Sequence, residues 1–340
     1  MHEASPLVVA LAQIAPVWLD RDATLGKVAD WVARAAVEGS RLVAFGEALA
    51  PGYPFWIEHT GGAKFESPLQ KALFAHYAAQ AVDLARDDLA PVRAAARKGR
   101  LWVALGCIER APERGHSLYC SLVLIDDQGE IRNVHRKLMP TYEERLVWSP
   151  GDGHGLRCFA VDGFTLGGLS CWENWMPLAR SALYAQGEDL HLATWPGSAR
   201  NTGEITRHIA REGRSYAMSV SGLMRREDIP AHLPHAALLR EALPEVSANG
   251  GSCIAAPTGE WVLPPCVDEE RLLVAQLDPA LVRAERQNFD PFGHYSRPDV
   301  LELQVDRSRR RGARFSDDPA DDPDPTATRP AGPAGRIDPQ

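Results

Sequence analysis

The sequence predicts an α/β fold built around a mixed β-sheet. Short apolar runs alternate with amphipathic helical stretches along most of the 340 residues, a pattern typical of packed α and β layers. Tight turns join some of these runs and helical stretches join others, so antiparallel and parallel strand pairs are both expected. Hydrophobic residues make up 45% and charged residues 24% of the chain, which is ordinary globular composition and excludes global disorder.

The first hundred residues predict two strands and three helices. Residues 7–15 are apolar enough for a buried strand, residues 21–38 carry an apolar helical face, and residues 41–47 form a second strand. A loop rich in proline and glycine follows. Residues 68–98 predict two further helices, with Pro91 suited to the first turn of the second.

The remaining two thirds continue the alternation. A turn at 126–129 joins the strands predicted at 118–126 and 130–138, and Asp162–Gly163 forms a hairpin turn between 158–163 and 164–171. The other predicted strands are 101–109, 189–195, 219–224, 251–257, 260–265 and 271–278, and the other predicted helices are 178–187, 204–217 and 279–287.

Charge, hydropathy and cysteine content exclude several classes of protein. A net charge of −8 argues against a nucleic-acid partner, which favours a basic face. Uncharged apolar stretches stay well short of 18 residues, and the N-terminus lacks the pattern of a secretion signal, so neither a membrane partner nor secretion is expected. Six dispersed cysteines without a C-x-x-C pair predict reduced thiols, no structural metal and a cytoplasmic location.

Two short motifs do not support an activity. Gly151, Gly153 and Gly155 match no phosphate-binding spacing and are interpreted as a flexible turn. The G-x-S-x-G pattern of serine hydrolases is also missing, because Trp172 occupies the position of its last glycine.

Three reactive side chains each end a predicted strand. Cys171 follows a glycine-containing strand at a strand-to-helix turn, with Pro177 suited to the first turn of that helix, and backbone N–H groups at such a turn can stabilise a thiolate or an oxyanion. Glu47 and Lys137 end two other strands and could act as general base and anion stabiliser. Each signal alone is also explained by a buried cysteine or a solvated charge. Together they predict a Cys–Glu–Lys triad, provided that the sheet brings the strand ends together.

Three sequence blocks resemble the signature motifs of the nitrilase superfamily of carbon–nitrogen hydrolases. They are FGEALAPGYPFW, HRKLMPTYEERLVWSPGDG and GGLSCWENWMPLARSALYAQG, with 90 residues between Glu47 and Lys137 and 34 between Lys137 and Cys171. NGGSCIAAPTGEWV and NFDPFGHYSRPDVLEL resemble the C-terminal half of that family. The resemblance covers residues 7–303, and the C-W-E run at Cys171 is similar to the nitrilase branch.

The resemblance implies a four-layer α-β-β-α sandwich and a division of chemical roles. Cys171 would be the nucleophile, Glu47 the general base and Lys137 the stabiliser of the tetrahedral intermediate, with Glu144 positioning substrate or water. It further implies a small-molecule nitrile as substrate, no cofactor, and homo-oligomers that are dimer-based and can be spiral or filamentous, formed through a helical face.

Aromatic residues beside these blocks are candidates for the substrate pocket. Tyr53, Trp172 and Trp195 are predicted to bind an apolar nitrile. Phe55 and Trp56 are explained equally well as core residues.

Length alone, at roughly 150 residues for each domain, suggests two domains. The motifs extend from Glu47 to the 290s, however, and therefore require a single domain, predicted as residues 1–305. Residues 306–340 are rich in Asp and Pro and are predicted to be a disordered tail. Residues 317–340 carry six acidic and two basic residues, so the body itself is only mildly acidic.

Other activities remain open from the sequence. An amidase, an N-carbamoylase, a nitrile-hydrating enzyme or a cyanide-hydrolysing enzyme could use the same triad, and only the C-W-E context favours nitrile hydrolysis to the acid. A non-catalytic assembly protein on this scaffold is a more distant alternative, which the intact set of Glu47, Lys137, Glu144 and Cys171 disfavours.

Overall fold

The structure is a computed structural model that describes residues 5–310 and 312–313. Its strands are β1 (Leu7–Gln13), β2 (Leu42–Phe45), β3 (Trp102–Arg110), β4 (Leu118–Ile125), β5 (Ile131–Arg136), β6 (Phe159–Val161), β7 (Phe164–Ser170), β8 (Leu190–Trp195), β9 (Tyr216–Ser221), β10 (Leu223–Arg225), β11 (Val246–Ala255), β12 (Trp261–Val267) and β13 (Arg271–Leu277). Its α-helices are α1 (Arg21–Val37), α2 (Trp56–His59), α3 (Pro68–Gln80), α4 (Ala90–Gly99), α5 (Pro177–Tyr184), α6 (Ala199–Gly213), α7 (Ala236–Ala242) and α8 (Pro279–Glu285).

The strands form two mixed sheets. The first has the order β13-β1-β2-β3-β4-β5, and the second has the order β10-β11-β9-β8-β7-β6 with β12 paired to β11. Parallel pairs join β1, β2 and β3 in one sheet and β7, β8 and β9 in the other. Hairpins supply antiparallel pairs such as β4–β5 and β6–β7, which confirms the mixture predicted from the sequence.

Each strand divides its side chains between an inner and an outer face. Leu11 on β1 belongs to the core between the sheets together with Leu192 and Met218 of the second sheet. Its neighbours Ala10 and Ala12 face outward and pack with α1 and α4, because successive side chains of a strand point to opposite faces. Helices α5 and α6 cover the outside of the second sheet. The architecture is therefore the predicted α-β-β-α sandwich.

Most helix boundaries follow local signals, but α2 and α7 were not predicted, and α5 and α6 differ from their predicted bounds. The Asp20 side chain accepts a hydrogen bond from the Ala23 N–H at the start of α1, and Pro91 lies in the first turn of α4. The prediction of a helix over 204–217 was wrong at both ends. Helix α6 begins at Ala199, and Arg214 in the left-handed conformation ends it before β9 begins. Helix α7 was not predicted, since a loop containing Pro and His precedes it.

The glycine run near 151–155 is a packed turn, and its interpretation as a flexible turn was wrong. A Cβ on Gly151, Gly153 or Gly155 would lie within 2.1 to 2.3 Å of a backbone atom of a neighbouring segment. Glycine is therefore required at these positions because the backbones approach closely.

The ordered body extends past the predicted boundary at 305. Asp152 forms a salt bridge with Arg309 and accepts a hydrogen bond from the Arg310 N–H. One compact unit accordingly reaches Arg310, so placing 306–310 in a disordered tail was wrong. The rest of the predicted tail lies outside the described residues, apart from 312–313. Within the described part of the chain, no helix combines the length and apolar character needed to cross a bilayer.

Candidate active site

Three strand ends from the two sheets meet at one buried location. Lys137 directly follows β5, Cys171 directly follows β7, and Glu47 lies two residues beyond β2. The Lys137 Nζ is 2.8 Å from Glu47 Oε1 and 2.7 Å from Glu144 Oε2. The Cys171 sulfur and one oxygen of each glutamate lie within 4.8 Å of one another. The structure thus brings together all four side chains that the sequence singled out for catalysis.

Hairpin register positions Lys137. The β4–β5 pair aligns Ser121 with Arg136, and one step further the Lys137 N–H donates to the Cys120 carbonyl at 2.8 Å. On the other side, the Gly151 N–H donates to the Lys137 carbonyl at 2.8 Å. The backbone of Lys137 is therefore held on both edges, and its side chain extends along the inner face of the sheet.

Cys171 lies in a strained turn. Its φ of +53° is in the left-handed region, which costs a non-glycine residue energy and is frequent at functional sites. The turn Cys171–Trp175 leads into α5, which begins at Pro177 as predicted. The Asn174 amide donates to the Cys171 carbonyl at 2.8 Å, and its oxygen lies 2.8 Å from His191 Nε2. These buried contacts hold the turn in its unfavourable conformation.

Glu144 is oriented by three donors. It belongs to a capping box with Thr141, whose N–H donates to Glu144 Oε2 at 2.6 Å. The Lys137 ammonium binds the same oxygen, and the Tyr53 hydroxyl donates to Glu144 Oε1 at 2.9 Å. Tyr53 was predicted to bind substrate, and the structure shows that its hydroxyl contacts Glu144.

Burial and charge set the protonation states of the site. Burial raises the pKa of Glu47 to about 7, with the Lys137 ammonium opposing this shift and Glu144 adding to it. Burial also raises the pKa of Cys171 well above its ordinary value. It lowers the pKa of Lys137, but the surrounding thiol and carboxyl groups outweigh this effect and raise that pKa well above its usual value. The site therefore combines a neutral thiol, a cation and a carboxylate that titrates near neutrality.

One oxygen of Glu47 is free to accept a proton. Its Oε1 binds Lys137 and accepts a hydrogen bond from the Cys120 thiol at 3.4 Å. Its Oε2 is fully buried and has no hydrogen-bond partner within the described residues. A buried, unpaired carboxylate oxygen is costly, and next to a thiol it is well placed to act as a base.

Three of the grouped atoms could in principle ligate a metal ion, namely those of Glu47, Glu144 and Cys171. The Lys137 ammonium, however, contacts both carboxylates at hydrogen-bond distance. The chain itself therefore supplies the cation that this pair of carboxylates requires, and the absence of a metal stays a prediction.

The aromatic residues occupy different depths. Trp172 is 51% exposed beside Cys171, and its backbone N–H lowers the pKa of the Cys171 thiol, against the larger opposing effect of burial. Trp195 is fully buried: it packs in one cluster with Cys171, and its indole N–H donates to Ser219. The indole lies in the core beside Cys171 and packs towards α6, and its predicted contact with substrate stays a prediction. Trp56 is a core residue.

Sequence reasoning did not identify Cys120, His135, Glu173 and Asn174 as parts of the site. Cys120 lies opposite Lys137 in the hairpin, but a register shift between Leu124 and Ile125 means that counting back from the turn at 126–129 would have placed it opposite Arg136. Glu173 lies within the C-W-E run, and it contacts His135 across the two sheets. No local pattern reveals that contact, because 38 residues separate the partners.

A family model described as carbon-nitrogen hydrolase matches residues 8–287. The chain is 36% identical over 323 residues to Nitrilase 2 of an unknown prokaryotic organism, covering 95% of this chain and 99% of the relative. It is 34% identical over 307 residues to a bifunctional nitrilase/nitrile hydratase of Nicotiana tabacum, covering 89% and 87% respectively. A crystal structure of a carbon–nitrogen hydrolase from Helicobacter pylori shares the fold, with a TM-score of 0.66, 20% identity, and coverage of 86% of this chain and 96% of that one.

Proposed function

The chain belongs to the carbon–nitrogen hydrolase family, and we propose that it is a nitrilase that converts an organic nitrile to a carboxylic acid and ammonia. The observation that carries the proposal is the buried group of Cys171, Glu47, Lys137 and Glu144. The chain also aligns over 95% of its length with a relative named as a nitrilase, which supports a nitrile as the substrate.

In the first half of the reaction, Glu47 Oε2 takes the Cys171 thiol proton while the sulfur attacks the nitrile carbon. The developing negative charge on the nitrile nitrogen is stabilised by the Lys137 ammonium. The proton held by Glu47 then passes to that nitrogen, giving a neutral thioimidate on Cys171. The thiol needs this base because burial keeps it protonated.

In the second half, Glu47 removes a proton from a water molecule that adds to the thioimidate carbon. Glu144, fixed by Tyr53 and Lys137, helps to orient that water. Proton transfer to nitrogen releases ammonia and leaves a thioester. A second water attacks the thioester carbon, and the backbone N–H of Trp172 and the Lys137 ammonium stabilise the oxyanion. The acid leaves and the thiol regains its proton. Covalent catalysis thus divides one difficult addition into easier steps.

Release of an amide is a second possible outcome at the same site. After the first water has added, the intermediate can lose the Cys171 sulfur instead of ammonia, and the product is then the amide. The tobacco relative named as both a nitrilase and a nitrile hydratase favours this branch. Amide is accordingly expected as a minor product.

A panel of matched substrates tests the activity. Aliphatic, arylaliphatic and aromatic nitriles, each with the corresponding amide, are incubated with the protein alongside cyanide and N-carbamoyl compounds, and acid, amide and ammonia are quantified. Acid and ammonia from at least one nitrile are expected. Turnover of amides or N-carbamoyl compounds with no turnover of any nitrile would overturn the proposal in favour of another member of the family.

Cys171→Ala tests the nucleophile and gives the first prediction. Turnover should fall to the background rate, because the variant lacks the thiol that forms the thioimidate. Circular dichroism should show an unchanged fold. Cys107→Ala serves as the control, because Cys107 is a buried cysteine that packs in the cluster between the first sheet and helices α1 and α4. Mass spectrometry of a Glu144→Gln variant during turnover should find the adduct on Cys171. An adduct on any other cysteine would contradict the assignment.

Four further properties accompany the proposed activity. We propose a single catalytic domain, a substrate site lined by Tyr53 and Trp172, and a cytoplasmic location, which the six free thiols support. We also propose dimer-based homo-oligomers. Exposed apolar side chains beside α5, including Trp175 and Leu178, support a helical contact face. Light scattering during gel filtration measures the assembly.

A further inference from the structure

Glu173 is a buried acid next to the nucleophile that the reaction steps do not use. It lies two residues after Cys171 and forms a capping box with Ser170. The Ser170 N–H donates to Glu173 Oε2 at 2.9 Å. Glu173 thereby holds the residue immediately before Cys171 and fixes the start of the strained turn.

The same carboxylate also holds the segment that carries Lys137. The Leu138 N–H donates to Glu173 Oε1 at 2.6 Å, and His135 Nε2 lies 3.1 and 3.2 Å from the two oxygens. These partners flank Lys137 in sequence, on the strand end of the six-stranded sheet. Glu173 lies in the turn that follows β7 of the other sheet. Its side chain therefore connects the segment that carries Cys171 with the segment that carries Lys137.

The contact between Glu173 and His135 is completely buried, and this burial determines what the contact contributes. The side chains of Glu173 and His135 are 0% and 1% exposed. Burial alone raises the pKa of Glu173, but His135 and the two backbone donors outweigh it and lower that pKa overall, so the carboxylate stays charged. Buried ion pairs often add little net stability, because desolvation offsets their attraction. We therefore expect this contact to fix the relative positions of the two segments that it joins, and to add little to the free energy of unfolding.

We propose that Glu173 is a positioning residue that sets the distance between Cys171 Sγ and Lys137 Nζ, with His135 holding its carboxylate. This inference rests on the proposed function for its effect on turnover. Its physical content, the alignment of Cys171, is measured separately through the reactivity of the thiol.

Glu173→Gln is the main variant. The amide keeps the shape of the side chain but directs an NH₂ group at the Ser170 or Leu138 N–H, so at least one contact becomes repulsive. We expect kcat to fall about 100-fold, the scale of a 1 Å misplacement of reacting groups, with KM changed by less than about threefold. The rate of Cys171 alkylation by iodoacetamide, assigned by mass spectrometry, should fall as well.

Glu109→Gln is the matched control. Glu109 is equally buried and pairs with Arg136, the residue between His135 and Lys137. It makes no described hydrogen bond to the Cys171 turn. The control should lose stability in urea while its folded fraction keeps kcat and the alkylation rate within about twofold of the wild type.

His135 provides a rescue test that also covers poor folding of Glu173→Gln. Glutamine places an amide N–H near the position of His135 Nε2, whereas alanine cannot. His135→Gln should therefore retain more kcat and alkylation rate than His135→Ala at equal folded fraction. Glu173→Asp, which keeps the charge on a shorter side chain, should fall between wild type and Glu173→Gln.

Two results would overturn the inference. One is a Glu173→Gln variant with wild-type kcat and alkylation rate. The other is a set of variants, including Glu109→Gln, whose activities fall only in proportion to their folded fractions. If the wild type hydrolyses no nitrile, the proposed function fails, yet the alkylation rates still decide the role of Glu173.

Discussion

Arg136 and Lys137 are successive residues at the end of β5, and each pairs a buried cation with glutamate in a different way. The Arg136 guanidinium binds Glu109 through two bonds of 2.6 and 2.9 Å, and the Ser121 hydroxyl donates to the same carboxylate at 2.7 Å. Both oxygens of Glu109 are thus used. Lys137 binds only one oxygen of Glu47, and the other has no partner among the described residues.

This difference distinguishes a carboxylate with both oxygens paired from one with a free oxygen. A proton on Glu109 would have to compete with Arg136 and Ser121, whereas Glu47 keeps one oxygen free in a buried site. Burial raises the pKa of Glu47 to about 7, against the opposing effect of the Lys137 ammonium, into the range where a base is most useful. Equal burial and equal charge therefore do not imply equal roles, and the pairing of each oxygen distinguishes them.

The largest effect is expected when the two cations, Lys137 and Arg136, are removed in separate variants and compared. Lys137→Met should lower kcat by about 10³-fold or more, because it removes the cation that stabilises the developing anion and leaves Glu47 and Glu144 unpaired. Arg136→Met should cost about 3–5 kcal/mol of unfolding free energy but leave kcat of the folded fraction within a few-fold. Steady-state kinetics and urea denaturation of both variants measure this. Equal losses of kcat in the folded fractions would erase the distinction.

The pH dependence tests the free oxygen of Glu47. Its pKa is raised to about 7, so the carboxylate is protonated as the pH falls through 7 and the base is lost. We expect kcat/KM to fall about tenfold per pH unit below that value and to level off above it. The Cys171 alkylation rate should follow the same curve. A rate that stays flat from pH 8 to pH 5 would show that Glu47 is not the base.

The smallest effect concerns the hydroxyl that orients Glu144. Tyr53→Phe removes the 2.9 Å bond to Glu144 Oε1, and a hydrogen bond worth about 1 kcal/mol predicts a fall in kcat of about fivefold. Tyr77→Phe is the control, because that buried hydroxyl donates to the Gly52 carbonyl in the same loop. A rise in KM with unchanged kcat would instead indicate that Tyr53 only packs against substrate.

Much of the fold was predictable because its signals are local. The strand–helix alternation, the hairpin turns and the positions of Pro91 and Pro177 depend on neighbours in sequence, and the structure agrees with them. The predictions were wrong where contacts between residues far apart in sequence set the boundary of an element. Helix α6 packs on the second sheet through Ile205 and Ile209, and Arg309 and Arg310 are held by Asp152, 157 and 158 residues away.

The sequence by itself determined the fold class, the family resemblance and the four reactive residues, since strand periodicity and motif spacing are properties of the chain. Tertiary structure alone decided how those residues are paired and buried. It selected the oxygen of Glu47 that stays free, buried Trp195 behind Cys171, and joined His135 to Glu173 across two sheets. The physical reason is that pairing, desolvation and the resulting pKa shifts depend on distances between segments far apart in sequence, which only the packing of one sheet on the other fixes.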